Sequence, residues 1–258
     1  MQLREMGNTG IQVSPLGLGT VKFGRNQQVK YPSGFEIPDD RQVQNLLSLS
    51  KELGINLVDT APAYGNSQQR LGQLLTGPRD GWVIVSKVGE IFENAQSRFD
   101  FSYDYTITTV ENSLRELKTD YIDVVLIHSD GDDRRILREE GALDALETLK
   151  QQGKIRAHGM SSKTVDGGLE VVRLMDVVMA TCNLAYNDEL PVLETAEKLH
   201  KGVLIKKGLQ SGHVNADNGV QEAMSFVFGQ PGVSSMIVGT INPKHLESNV
   251  EIINQVLK

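Results

Sequence analysis

The chain has 258 residues, a formal net charge of −7 at pH 7 and a single cysteine, Cys182. One cysteine excludes an intrachain disulfide and a thiolate metal cage. The negative charge disfavours binding to nucleic acid or to an anionic membrane surface, although it leaves room for a local basic pocket. The length suits one α/β barrel and is short for two domains with separate cores, so we expect one domain over residues 1–258.

The opening residues, MQLREMGNTG, lack the apolar run of a secretory signal. No stretch of the chain approaches the ~18 apolar residues that a membrane span needs. We therefore expect a cytoplasmic protein with no membrane partner. Nothing in the sequence fixes the oligomeric state, and our expectation is a monomer or a weak oligomer.

The first predicted element is a β-hairpin, with turn residues Gly7, Asn8 and Gly10 between residues 3–6 and 11–13. After it, short apolar runs alternate with longer amphipathic stretches. The apolar runs are residues 16–19, 55–59, 82–87, 122–128, 155–161, 177–183, 203–206 and 235–238. Several are almost wholly apolar (VIVS, VVLI, VVMA), which is typical of parallel strands covered on both faces.

Helical patterns fill the intervals between these runs. Pro38 and Asp39 begin one that ends at Gly54, and Gly141 begins another that ends at Gly153. Eight strand–helix units without a Pro/Gly/Ser-rich linker predict an α/β fold, a closed (β/α)8 TIM barrel with an N-terminal β-hairpin. The alternation alone also fits an open, doubly wound sheet.

Polar residues end three successive strands of the predicted barrel. Asp59 ends the second strand, Lys87 the third and His128 the fourth, and Tyr64 lies five residues beyond Asp59 in the loop DTAPAYG. The carboxyl ends of the strands in such a barrel meet at one face, so these side chains are expected to lie close together. Taken singly, each has an ordinary explanation: a helix N-cap, a rim lysine, a strand-end histidine or a loop aromatic.

Together these four residues suit proton transfer to a carbonyl that accepts hydride. A tyrosine near its reference pKa of ~10 is a reluctant proton donor at neutral pH. We expect Lys87 to stabilise the phenolate of Tyr64 and lower its pKa, and Asp59 to keep Lys87 charged and in place. The imidazole of His128 would orient and polarise the carbonyl oxygen.

Three segments resemble the catalytic segments of the aldo-keto reductases, in the order of that family. They are DTAPAYG (59–65), VSKVG (85–89) and DVVLIHS (123–129), and the likeness continues through GKIRAHGMSS (153–162) over nearly the whole chain. The resemblance implies that Tyr64 is the general acid, supported by Asp59, Lys87 and His128. A histidine at position 128, where steroid double-bond reductases of the family carry glutamate, favours reduction of a carbonyl rather than of a C=C bond.

The resemblance also implies a nicotinamide dinucleotide across the barrel mouth. GLGTVKFG (17–24) does not fit the Rossmann fingerprint, in agreement with this family's different mode of binding. The positions that match the family's cofactor contacts fall into three groups. Ser161, Ser162 and Asn183 would meet the carboxamide; Lys206, Gly208, Leu209 and Ser211 would lie by the ring and the pyrophosphate; Gly239, Thr240, His245, Ser248 and Asn249 would face the adenosine.

Some of these positions depart from the family pattern. Ser162 replaces a usual asparagine, Asn183 a usual glutamine, and Lys206 an aromatic that stacks on the nicotinamide in many relatives. Gly239 and His245 stand at two places where NADPH-selective relatives usually carry a lysine or arginine, with only Lys244 nearby. From the family pattern we expect NADPH as the cofactor, with NADH as the alternative.

Two rival functions remain open at this stage. One is a dehydrogenase of a sugar or another alcohol, in which the same residues run in reverse with Tyr64 as the base. The other is a cofactor-sensing partner protein, like the potassium-channel β-subunits that share the fold. A metal site at HSDGDD (128–133) is set aside, because clusters of Asp and Gly most often form exposed turns.

Overall fold

The structure of the protein is a computed structural model, and it describes residues 1–214 and 219–258. Its chain begins with the predicted hairpin, formed by β1 (Arg4–Glu5) and β2 (Gln12–Val13), which pair antiparallel. Met6 and Asn8 in the connection contact Gly202 and His200, next to the start of the seventh barrel strand. The hairpin therefore closes the amino-terminal end of the barrel, and the opposite end is left for a site.

Eight parallel strands form a closed barrel, which confirms the predicted TIM barrel and decides against an open sheet. In chain order they are β3 (Leu16–Gly19), β4 (Leu57–Asp59), β5 (Val83–Val88), β8 (Ile122–His128), β9 (Ile155–Ser161), β10 (Val177–Thr181), β11 (Gly202–Lys206) and β12 (Val233–Val238). Barrel closure is made by β12, which pairs with β3 through Met236 and Leu16. A second hairpin, β6 (Glu90–Glu93) and β7 (Gln96–Phe99), follows β5 outside the barrel.

Helices surround the barrel on the outside. They are α1 (Asp40–Glu52), α2 (Ser67–Leu74), α3 (Tyr103–Leu117), α4 (Asp133–Glu139), α5 (Ala142–Gln151), α6 (Val165–Leu174), α7 (Leu190–Lys198), α8 (Gly219–Phe228) and α9 (Pro243–Val256). The two helices whose ends were predicted are confirmed: Asp39 caps α1 in a capping box with Gln42, and Gly141 precedes α5. None of the helices in the described ranges is long and apolar enough to cross a membrane.

Alternate side chains of the barrel strands build two apolar layers, which is why the strands read as continuous apolar runs. One layer fills the barrel and includes Val85, Val124 and Leu204, with Met6 of the hairpin connection packed beneath it. The other layer lies between the strands and the helices. This packing fixes the eight strand ends relative to one another, so residues at those ends occupy defined positions around the mouth.

Candidate active site

The four residues predicted for proton transfer meet at the carboxyl end of the barrel. Asp59 is the last residue of β4 and pairs in register with Val85 of β5, two residues before Lys87. His128 is the last residue of β8. Tyr64 lies in the loop between β4 and α2, and its ring centroid is 4.9 Å from Lys87 Nζ and 6.4 Å from the centroid of His128. The barrel thus collects groups that are far apart in sequence.

Asp59 and Lys87 form a buried ion pair. Lys87 Nζ donates to Asp59 Oδ1 at 2.5 Å and to the carbonyl oxygen of Thr60 at 3.0 Å, and the two side chains are 2% and 6% exposed for Lys87 and Asp59. A buried charge is tolerated only when a partner compensates its lost hydration, and each member of this pair does so for the other. The ammonium group is thereby held on one side of the Tyr64 ring.

Tyr64 keeps its proton more firmly than the sequence argument expected. Burial, and then the negative charges of Asp59 and Glu90, raise the pKa of Tyr64 well above its ordinary value, while Arg25 opposes them. The expected lowering by Lys87 does not dominate, because burial outweighs it and the carboxylate of Asp59, which lies against the ammonium, offsets its field. Tyr64 is therefore a neutral phenol in the free protein, able to give a proton only to a strong base such as a developing alkoxide.

His128 has a carboxylate neighbour that the sequence analysis missed. Its Nδ1 lies 2.8 Å from Oε2 of Glu90, the first residue of β6, although the N–H direction is off the line of a well-formed hydrogen bond. Burial lowers the pKa of His128, with Lys87 and Lys206 adding to this effect and Glu90 opposing it. Glu90 in turn accepts from Arg25 Nη1 at 3.0 Å and from Ser97 Oγ at 2.7 Å. The only sequence signal for Glu90 is that it directly follows the segment VSKVG.

The predicted carboxamide contacts divide into two groups. Ser161, at the end of β9, accepts from Lys206 Nζ at 2.8 Å, and Lys206 also donates to the carbonyl oxygen of Ser162 at 2.5 Å. Asn183 holds its own loop, donating to the carbonyl oxygen of Lys207 and accepting from the backbone of Ala185. The hydroxyl of Ser162 is buried, has no hydrogen-bond partner among the described residues and faces α6. Ser161 and Lys206 are thus brought together, Asn183 contacts the neighbouring residue Lys207, and the Ser162 hydroxyl is turned toward α6.

Lys206 places a half-buried ammonium group at the end of β11. Burial lowers its pKa to about 8, and Glu189 opposes this shift. Burial raises the pKa of Glu189, whose Oε1 accepts from the backbone of Thr181. The two groups lie on the same side of the mouth as Ser161, so this side is polar rather than aromatic.

The remaining predicted cofactor residues lie along the rim beyond β11 and β12. Gly208 is buried, and Leu209 and Ser211 are half-buried in the short turn after β11. Thr240 Oγ1 accepts from the backbone of Asn242, which caps α9. On α9 itself, His245 and Ser248 are exposed and Asn249 is buried. The structure therefore distributes these residues from the barrel mouth to the first turns of α9.

A segment after β3 crosses this rim, and sequence reasoning did not foresee it. The Tyr31 hydroxyl approaches Gly239 so closely that a Cβ at that position would lie 2.7 Å from it, and Pro32 contacts Gly212. Lys22 Nζ lies 3.9 Å from the centroid of the Tyr31 ring. A side chain at position 239 would displace the Tyr31 hydroxyl from this position.

The residues around the mouth fit a nicotinamide dinucleotide. Hydroxyl and amide groups at Ser161 and Asn183 suit a carboxamide. The pKa of Lys207 is lowered by loss of solvent and then by Lys30 and Lys163, so three cations gather at this rim. Asp130, Asp132 and Asp133 serve local structure instead: Asp130 pairs with Arg135, and the other two bind backbone N–H groups.

Comparison with known proteins decides the family. The profile of the Aldo/keto reductase family matches residues 15–214, more than half of the chain. The chain belongs to the aldo/keto reductase family. It is therefore an oxidoreductase of the kind that uses a nicotinamide cofactor.

Individual relatives span nearly the same length. A crystal structure from Pseudomonas aeruginosa, described as an aldo-keto reductase, is 50% identical and superposes with a TM-score of 0.91 over 99% of this chain and 96% of that one. L-galactose dehydrogenase of Arabidopsis thaliana is 27% identical over 298 residues, covering 99% of this chain and 89% of the plant enzyme. An NADH-specific methylglyoxal reductase of Escherichia coli is 30% identical over 191 residues, 68% of this chain and 57% of that enzyme.

Proposed function

We propose that the protein reduces a small aldehyde or ketone to an alcohol, with NADPH as the preferred cofactor and Tyr64 as the proton donor. The observation that carries the proposal is the buried Lys87–Asp59 pair beside the Tyr64 ring, with the His128 ring nearly perpendicular to that of Tyr64 at 89°. A nicotinamide cofactor, when bound, would be the source of the hydride for the carbonyl carbon. The proton on Tyr64 Oη passes to the carbonyl oxygen, so one C–H and one O–H bond form and the C=O π bond is lost.

The high pKa of Tyr64 suits this timing. A firmly held proton is not lost to solvent in the free enzyme, and it moves only when hydride arrival turns the carbonyl oxygen into an alkoxide, a much stronger base than phenolate. The phenolate that remains is then stabilised by the ammonium of Lys87. Lys87 thus acts at the transition state rather than in the resting protein.

The same residues support the reverse reaction as a second candidate function. Two observations favour it: L-galactose dehydrogenase is among the relatives, and burial lowers the pKa of His128, which favours its uncharged form. In that direction Tyr64 as phenolate accepts the proton of an alcohol. Comparing NADP+ and NAD+ reduction with aldoses against NADPH and NADH oxidation with aldehydes measures which direction the enzyme favours.

The first test is loss of absorbance at 340 nm with NADPH, and separately NADH, over aromatic, aliphatic and sugar aldehydes. Tyr64→Phe should lower turnover about 10³-fold and leave cofactor binding unchanged, because only the donated proton is removed. Tyr105→Phe, in α3 and without a side-chain hydrogen bond in the described structure, is the matched control and should retain full activity. Turnover by Tyr64→Phe equal to the control would refute the assignment. Cofactor binding without turnover on any carbonyl or alcohol would point to a cofactor-sensing partner protein.

A further inference from the structure

Two charged side chains, Arg25 and Glu90, lead to His128 at the mouth. Arg25, just after β3, donates to Oε1 of Glu90 at 3.0 Å, and Oε2 of Glu90 lies 2.8 Å from Nδ1 of His128. The side chains of Arg25 and Glu90 are only 9% and 10% exposed. Arg25 is itself fixed by the carbonyl oxygen of Ala63 and by the ring of Phe92, 3.4 Å from its guanidinium carbon. The carboxylate is therefore held rigidly against the imidazole.

Glu90 is ionised throughout the working range of pH. Burial by itself would raise the pKa of Glu90, but His128, Ser97 and Arg25 together lower it to about 2. An anionic oxygen 2.8 Å from an unprotonated ring nitrogen would set two lone pairs against each other, which is unfavourable. The proton of the neutral imidazole therefore belongs on Nδ1.

We infer that Glu90 is a positioning residue that keeps a proton on Nδ1 of His128, so that the neutral imidazole presents an unprotonated Nε2 to the substrate. Within the described residues, the His128 ring has one polar contact, that of Nδ1 with Glu90, and Nε2 makes none. An unprotonated Nε2 accepts a hydrogen bond from an alcohol hydroxyl. It cannot donate one to a carbonyl oxygen until a second proton binds.

A fixed Nδ1–H proton means that the two directions of the reaction use two protonation states of His128. The role of His128 in turnover rests on the proposed function. Carbonyl reduction should use the imidazolium form and rise as pH falls through the pKa of His128. Alcohol oxidation should use the neutral form and rise with pH. The charged groups that face His128 are Lys87 of β5, Glu90 of β6 and Lys206 of β11, with Tyr64 opposite its ring.

In Glu90→Gln, the pH at which the rate of carbonyl reduction falls to half should be lower by roughly one unit, because an adjacent anion that stabilises imidazolium is removed. Glu93→Gln is the matched control on the same strand: Glu93 is 64% exposed and pairs only with Arg98 in the described structure. Its pH profile should be that of the wild type. The pKa of Lys206 is lowered to about 8, so this residue could also change the rate near that pH. Any change of rate near pH 8 that disappears in Lys206→Met belongs to Lys206 rather than to His128.

The deciding measurement is ¹⁵N NMR of the histidine rings in the free protein, with the His128 signal identified by its loss in His128→Gln. The expected result is a neutral His128 protonated on Nδ1, with a lower pKa in Glu90→Gln and an unchanged one in Glu93→Gln. An Nε2–H tautomer in the wild type, or the same His128 pKa in Glu90→Gln, would overturn the inference. The wild-type tautomer decides the matter even if Glu90→Gln fails to fold.

Because this readout needs no turnover, failure of the proposed function is detected separately, by the absence of aldehyde-dependent oxidation of either cofactor.

Discussion

At the scale of single residues, the buried pair of Asp59 and Lys87 holds an ammonium group beside the Tyr64 ring. Each charge is stabilised mainly by the other, since both side chains have lost nearly all contact with water. Burial is the main reason why the pKa of Tyr64 is raised rather than lowered in the free protein, and the charge of Asp59 adds to it. The sequence identified these residues. Their net effect on the pKa of Tyr64 depends on burial and on interatomic distances, which only the packing of the structure sets.

Lys87→Met should destabilise the protein by about 3 kcal/mol, because Asp59 is left buried without a partner. Adding Asp59→Asn should recover most of that stability while activity stays lost, since the neutral pair no longer leaves a buried charge. Urea unfolding of the two single variants and the double variant measures the coupling. Lys150→Met is the control, because the Lys150–Asp176 pair is partly exposed and its loss should cost under ~1 kcal/mol. Equal losses at the two lysines would contradict the argument.

At the scale of elements, the loop between β4 and α2 aims Tyr64. Gly65 has φ +62°, and a Cβ there would lie 2.1 Å from the carbonyl oxygen of Gly24, in the segment after β3. Two chain segments therefore touch backbone to backbone beside the catalytic tyrosine. The left-handed conformation and the close approach both require glycine at this position.

Gly65→Ala should lower stability by roughly 3 kcal/mol and activity about 10²-fold, because the clash with backbone displaces Tyr64. Gly153→Ala is a matched control: its φ is +72°, but a Cβ there meets nothing within 4 Å. It should show only the backbone cost of about 1 kcal/mol and normal activity. Thermal or urea unfolding and the 340 nm assay measure both effects. Similar activity in the two variants would argue against the role of the loop in placing Tyr64.

The hairpin β6–β7 is the element that the sequence analysis did not anticipate. Its strands are four residues each and mostly exposed, so they carry no apolar run that would mark them. Yet the first residue of β6 supplies Glu90, the carboxylate beside His128. Short exposed strands outside a core leave little periodic signal, although they can still place a functional side chain.

At the scale of the whole molecule, the sign of the charge at the mouth differs from that of the protein. The net charge is −7, but Lys30, Lys163 and Lys207 lie near one another on the rim. Asp39, Asp40 and many other carboxylates lie on the outer helices or their caps instead. A dinucleotide phosphate that binds at this rim, as we propose, would be repelled at long range and attracted at short range.

The Kd for NADPH should rise with salt concentration, because the attraction acts between partly exposed charges. At 1 M salt the Debye length is only ~3 Å, so such charges are largely screened from each other. Lys207→Met should weaken binding a few-fold at low salt and flatten this salt dependence. Lys198→Met, on an exposed position of α7, is the control and should bind like the wild type. Cofactor fluorescence titrations at low and high NaCl measure these constants. Binding that is independent of salt would remove Lys207 from the phosphate site.

The sequence by itself predicted eight strand–helix units and the meeting of Asp59, Tyr64, Lys87 and His128, whereas the closure of the sheet into a barrel was decided by the structure. Apolar periodicity marks the parallel strands, and a parallel barrel brings their carboxyl ends together, so residues at strand ends converge. Only the tertiary structure decided that Glu90 faces His128, that Tyr31 reaches Gly239 and that the Ser162 hydroxyl turns toward α6. These contacts join groups from segments with no shared periodicity. Their protonation and orientation depend on burial and on distances of a few ångströms, which side-chain packing fixes and local sequence does not.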